Sequence, residues 1–164
     1  MPESNLPKRK PLRLADYDYS LPRVYHVVFC CCERNQWLGE MTNGSVHLSQ
    51  MGKILDQTIA GLTQSFPLCE VEHYVIMPNH VHLLIRLEDD DNKSPDEQVK
   101  LGTIVAALKS RVVQAARRKG GNVRIRIWQR GYYDTIIRNS AHYSATWEYI
   151  ENNPVNWEQD PENR

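Results

Sequence analysis

Residues 75–85 read VIMPNHVHLLI, and this stretch limits the architectures open to the chain. Two β-favouring runs, 69–77 and 80–87, are parted only by Pro78 and Asn79. A link that short joins antiparallel neighbours, because a parallel pair needs a crossover of a dozen or more residues. The chain therefore contains an antiparallel hairpin at its centre. The second run also poses a chemical question. Val81, Leu83, Ile85 and Leu87 make one apolar face, whereas the other face starts with two imidazoles, His80 and His82, followed by Leu84 and Arg86.

The flanking segments extend the pattern. Residues 23–33 (RVYHVVFCCCE) carry apolar groups on both alternating faces, as a central strand covered on two sides would. Asn43–Gly44 marks a tight hairpin in the stretch that follows. Ser49 can cap a helix that ends before Pro67, with Met51, Ile54, Leu55, Ile59 and Leu62 as its apolar stripe. After an acidic loop at 88–97, Leu101, Ile104, Val105, Leu108, Val112 and Ala116 recur at helical spacing up to Gly120–Gly121. A strand at 132–137 and a helix from Asn139 or Ser140 to about Asn153 complete the order β, hairpin, α, β, β, α, β, α. That order predicts an α+β, ferredoxin-like (RRM-like) sandwich. An antiparallel β-sheet would carry flanking helices and a C-terminal helix bearing Tyr149. We divide the chain into a Pro-containing basic arm (1–22), one domain (23–157) and a polar tail (158–164).

Composition bears on function chiefly through charge. The formal net charge is zero, yet nine basic residues and no acidic one fall between Val99 and Tyr133. A segregated basic block suits a polyanionic partner, although a solvated helix face gives the same pattern. Cys30, Cys31 and Cys32 are consecutive and Cys69 is remote, which matches neither a disulfide framework nor zinc-finger spacing. Reduced thiols and a cytoplasmic protein are the expectation. No apolar run approaches the ~20 residues of a membrane span.

Residues i and i+2 of a strand lie about 6.6 Å apart on one face. His80 and His82 can thus converge on one divalent cation or one phosphate oxygen, or serve as structural residues. Two imidazoles do not complete a metal site, so further ligands must come from elsewhere. On the last helix, about 100° per residue places Tyr143, Trp147 and Ile150 on the core stripe, with Thr146 at its edge. Tyr149 and Asn153, four residues apart, share another flank, where a hydroxyl and an amide could face a site. The same position also suits a boundary tyrosine, and Pro154 biases Asn153 away from helical geometry. His26, His47 and His73 read as strand or hairpin residues, and His142 falls near the Tyr149 flank.

Four blocks, YDYSLP at 17–22, VIMPNHVHLLI at 75–85, WQRGYYDTIIRN at 128–139 and YIENNPVNW at 149–157, resemble the REP-associated tyrosine transposases of the HUH-type single-tyrosine class. The resemblance runs from about Tyr17 to Glu162. It implies that His80 and His82 are the metal-binding pair. It implies that Tyr149 is the nucleophile, and that Asn153, where many relatives carry Gln, completes a site for Mg²⁺ or Mn²⁺. The implied activity is DNA transposition and recombination: nicking of single-stranded DNA through a 5′-phosphotyrosine intermediate and rejoining of the strand. The implied partner is single-stranded or hairpin DNA from repeats, with a monomer or homodimer acting.

The basic block then acquires a use. Lys109, Arg111, Arg117, Arg118, Arg124, Arg126 and Arg130 would hold phosphates, with Trp128, Tyr132 and Tyr133 as stacking surfaces for bases. Core packing competes for these aromatics, and at least one of the two tyrosines is expected to be buried. Lys8, Arg9, Lys10 and Arg13 of the arm could read flanking DNA. The competing readings are a non-catalytic nucleic-acid-binding module on the same sheet and a metal-dependent hydrolase acting through water.

Overall fold

The computed structural model describes residues 23–118 and 126–163. The arm at 1–22 and Arg124 lie outside them. Strand β1 (Arg23–Cys30) is followed by a hairpin, β2 (Gly39–Thr42) and β3 (Ser45–Leu48). Helices α1 (Gln50–Ala60) and α2 (Leu62–Ser65) precede β4 (Cys69–Ile76) and β5 (His80–Leu87). Helix α3 (Leu101–Arg118), strand β6 (Tyr133–Ile136) and helix α4 (Ser140–Glu151) follow. Strands β4, β5, β1 and β6, in that spatial order, form one antiparallel sheet. This is the ferredoxin-like order expected of a βαββαβ chain.

The alternation of β5 decides how the layers are made. Val81, Leu83, Ile85 and Leu87 join Tyr25, Val27 and Phe29 of β1 in the main core, roofed by α1 and α3. The opposite face carries His80, His82 and Leu84, all buried, and α4 packs there against β4 and β5. The sheet is therefore covered on both faces, and β1 and β5 are its central strands.

Local signals account for the element ends. Ser49 Oγ caps α1 by accepting from the Met51 and Gly52 amides, both at 3.1 Å. Gly52 lets that helix approach the Leu38 carbonyl more closely than any Cβ would allow. Asn43 (φ 52°) and Gly44 (φ 73°) supply the two left-handed residues of a two-residue hairpin turn. The helix expected from Ser49 to Phe66 is broken at Gly61 into α1 and α2. Helix α4 stops at Glu151, short of Asn153, because Pro154 disfavours helical backbone before it.

The stripe of α4 also differs from expectation. Thr146 and Ile150 are its buried positions, whereas Trp147 keeps 37% of its surface exposed. The cause is that α4 lies over β4, an edge strand, so the stripe overhangs the sheet. Trp147 instead lays one face flat on His73, with centroids 4.2 Å apart and planes 6° from parallel. The residues after Trp157, expected as a polar tail, form two short 3₁₀ turns, Trp157–Gln159 and Pro161–Asn163. All four cysteines are free thiols. Among the described residues, no helix is long and apolar enough to cross a membrane.

Candidate metal centre and tyrosine

The Pro78–Asn79 turn delivers His80 to the start of β5 in a fixed pose. The turn is pinned by the Cys31 amide on the Asn79 carbonyl (2.7 Å) and the Leu38 amide on the Pro78 carbonyl (2.9 Å). Asn79 Oδ1 accepts from His80 Nδ1 at 2.7 Å, and Asn79 Nδ2 donates to the Glu162 carbonyl at 2.8 Å. An amide oxygen can only accept, so His80 carries its proton on Nδ1 and presents a bare Nε2. His82 lies two residues on, with its Nδ1 3.0 Å from His26 Nε2 and its Nε2 3.3 Å from Asn153 Nδ2.

The docked C-terminal turns bring in a carboxylate. Asp160 is buried beside His80, with its Oδ2 3.5 Å from His80 Nε2. Its other oxygen accepts from the Glu162 amide at 2.7 Å. Arg34 Nη1 donates to the Pro161 carbonyl (2.9 Å), and Cys30 Sγ donates to Glu162 Oε2 (3.3 Å), which ties the turns to the end of β1. One ligand atom from each of His80, His82 and Asp160 lies within 4.8 Å of the other two.

The electrostatics of this cluster are unbalanced without a cation. Burial drives both imidazoles below the ordinary histidine range; Asp160 opposes the shift at His80, while His80 and His26 add to it at His82. A buried carboxylate thus faces neutral rings rather than an imidazolium, and an unpaired buried charge is costly. His80 Nε2, Asn153 Oδ1 and Asp160 Oδ2 are all buried without a hydrogen-bond partner. Orphaned groups of this kind cost about 1–3 kcal/mol each. Two imidazole nitrogens and a carboxylate oxygen this close together, with the Asn153 amide against His82, fit a divalent cation.

Tyr149 borders this cluster. Its ring stands edge-on to His82 (centroids 5.4 Å, planes 87°) and to His26 (6.0 Å, 74°), yet 46% of the residue is exposed. Burial of the ring raises the phenol pKa, with Asp160 and Glu162 adding to the rise and the Asn153 amide opposing it.

Four of the residues singled out in the sequence therefore meet: His80, His82, Tyr149 and Asn153. Asp160, His26 and Asn79 were missed as site residues. A polar C-terminal run gives no sign that one carboxylate folds back, and His26 is visible as a site residue only once the strand register is known.

The nucleic-acid set divides differently. Trp128 and Tyr132 are core residues, 7% and 6% exposed, which corrects their reading as stacking surfaces. Trp128 Nε1 donates to the Lys109 carbonyl at 3.1 Å, and the indole meets Phe29 edge-on. Lys109 is likewise withdrawn from any phosphate: Nζ donates to the Gln129 carbonyl (3.1 Å) and the Gly131 carbonyl, over the Phe29 ring. Arg111 Nη2 donates to Ser65 Oγ. Arg117, Arg118, Arg126 and Arg130 are exposed. Tyr133 is 48% exposed, and its pairing with Val28, itself paired with His82, puts it on the histidine face of the sheet.

Comparison with known proteins agrees with this architecture. The family described as "Transposase IS200 like" matches residues 22–153. An uncharacterized protein of Haemophilus influenzae is 31% identical over 166 residues, covering 93% of this chain and 91% of its own. A REP-associated tyrosine transposase, solved bound to a REP hairpin, superposes with a TM-score of 0.63 at 20% identity, over 88% of this chain and 74% of that one. A Deinococcus radiodurans protein assigned as a transposase gives a TM-score of 0.50 at 21% identity, over 85% and 95% of the two chains.

Proposed function

The chain belongs to the IS200-like transposase family, and on that premise we propose that it cuts and rejoins single-stranded DNA through Tyr149. The phenolic oxygen attacks a phosphodiester phosphorus and the bond to the 3′ oxygen breaks. A 5′-phosphotyrosine and a free 3′-OH result. The ester energy is retained, so a 3′-OH can later displace the tyrosine and reseal the strand. The observation that carries this reading is the meeting of His80, His82 and Asp160, with buried unpartnered atoms on His80 and Asp160, beside a half-exposed tyrosine.

A phenol is a weak nucleophile near neutral pH, and the surroundings of Tyr149 raise its pKa further. Proton loss must therefore accompany attack. The Asn153 amide opposes that rise. His80, His82, Asp160 and Asn153 would hold Mg²⁺ or Mn²⁺, which when bound polarises the scissile phosphate and offsets charge in the transition state. Asp160 supplies the negative charge that a neutral amide and two imidazoles lack. Helix α4 carries the nucleophile, and Asn153 lies in the turn just past its end, where the Asn153 amide N–H donates to the Ile150 carbonyl at 3.3 Å. DNA in a hairpin form is the favoured substrate, on the analogy of the REP-bound relative, and exposed Arg117, Arg118, Arg126 and Arg130 are the phosphate contacts we assign.

The test is incubation of the protein with 5′- and 3′-labelled single-stranded hairpin DNA and Mn²⁺, followed by a denaturing gel. A covalent protein–DNA band that disappears in Tyr149→Phe is the expected result. Cleaved DNA without an adduct would replace this reading with hydrolysis through water, and salt-sensitive binding without cleavage would reduce the protein to a DNA-binding module.

A further inference from the structure

We propose that His26, on β1, is a positioning residue: it accepts a hydrogen bond from His82 Nδ1 and so locks His82 into the tautomer whose Nε2 faces the cation site. The inference rests on the metal-dependent reading above and extends it to a residue outside the ligand set.

The geometry is that of an in-plane bond. His26 Nε2 and His82 Nδ1 are 3.0 Å apart, the ring planes differ by 19°, and the centroids are 5.2 Å apart. That separation is close to two ring radii plus the hydrogen bond, so nitrogen points at nitrogen edge to edge. Two imidazole nitrogens at this distance share one proton, and one must donate while the other accepts.

The direction follows from the far side of His82. Its Nε2 meets the Asn153 amide Nδ2 at 3.3 Å, and an amide NH₂ only donates. His82 Nε2 is therefore bare, its proton sits on Nδ1, and His26 is the acceptor. The arrangement parallels His80, whose Nδ1 is held by Asn79 Oδ1. Metal-ligating histidines commonly donate their second ring N–H to such an outer partner.

His73, which pairs with Leu84 from the β4 side, stacks on Trp147 instead, and the partner of His82 is His26. It pairs with Leu84 across the β1–β5 ladder, which makes it the diagonal neighbour of His82 on the same face. His26 also meets the edge of the Tyr149 ring, so one side chain touches both a ligand and the proposed nucleophile.

The experiment compares wild type, His26→Gln (acceptor kept) and His26→Phe (ring volume kept, acceptor lost). Long-range ¹H–¹⁵N correlation spectra of the metal-free proteins report the His82 tautomer, and calorimetric titration with Mn²⁺ reports affinity. We expect His82 protonated on Nδ1 in wild type and His26→Gln, and shifted towards Nε2 protonation in His26→Phe. Mn²⁺ affinity should fall about 10- to 100-fold in His26→Phe and by only about threefold in His26→Gln. A folded His26→Phe with wild-type tautomer and Mn²⁺ affinity would overturn the proposal. So would Nε2 protonation of His82 in wild type, a measurement that needs no variant to fold. Absence of Mn²⁺ binding by wild type with a His26-dependent tautomer would instead remove the metal reading and leave the positioning role standing.

Discussion

Asp160 Oδ2 lies 3.5 Å from His80 Nε2, both atoms buried and neither hydrogen-bonded. The pair joins two parts of the chain 80 residues apart, the turn into β5 and the 3₁₀ turns after α4. Burial keeps the imidazole from supplying the positive charge that the carboxylate lacks.

Removing that carboxylate should separate metal binding from folding. At a metal concentration 100 times Kd, a protein whose site exists only in the fold gains about 2.7 kcal/mol. Asp160→Asn should lose most of the Mn²⁺-induced rise in melting temperature while melting no lower than wild type without metal. An unchanged Mn²⁺ response would exclude Asp160 from the ligand set.

The neighbouring tyrosines at the start of β6, Tyr132 just before it and Tyr133 at its first position, should behave oppositely. Tyr133 stands half-exposed on the histidine face, so Tyr133→Ala should weaken binding of single-stranded DNA by about 1–3 kcal/mol with little change in stability. Tyr132 is in the core, and Tyr132→Ala should cost about 3 kcal/mol or more of stability. Fluorescence-anisotropy titration and urea denaturation distinguish the two, and equal effects of both variants would contradict their assigned places.

Among the cations, a similar division is expected. Neutralising Arg117 or Arg118 should lower the salt dependence of DNA binding by about one unit of slope each, as lost phosphate contacts do. Lys109→Met should leave that slope unchanged and cost about 1–3 kcal/mol of stability, because Nζ bonds the Gln129 and Gly131 carbonyls. A lowered salt slope in Lys109→Met would show that this amine reaches DNA.

Alkaline pH should destabilise the protein through its buried thiols. Burial pushes Cys69 from 9.0 to about 12, so between those values the unfolded thiol ionises while the folded one keeps its proton. Stability is then fully present below pH 9 and declines as pH rises past it. At pH 10 the loss is about 1.4 kcal/mol for this thiol. The urea midpoint should fall less between pH 8 and pH 10 in Cys69→Ala than in wild type, and an identical decline in both would place the effect elsewhere.

The sequence by itself determined the periodic parts of this protein. The two-residue link at Pro78–Asn79 dictated an antiparallel pair, Asn43–Gly44 dictated a hairpin turn, and alternation along 80–87 put both histidines on one face. Those are local properties, set by turn sterics and the two-residue repeat of a strand. Tertiary structure alone decided what the histidines meet. His26 reaches His82 only because β1 pairs with β5 in one register, Trp128 and Tyr132 are buried because α3 and the sheet close over them, and Asp160 arrives through a fold-back. Such contacts depend on strand register and docking between residues far apart in the chain, which no local pattern of apolar and polar residues encodes.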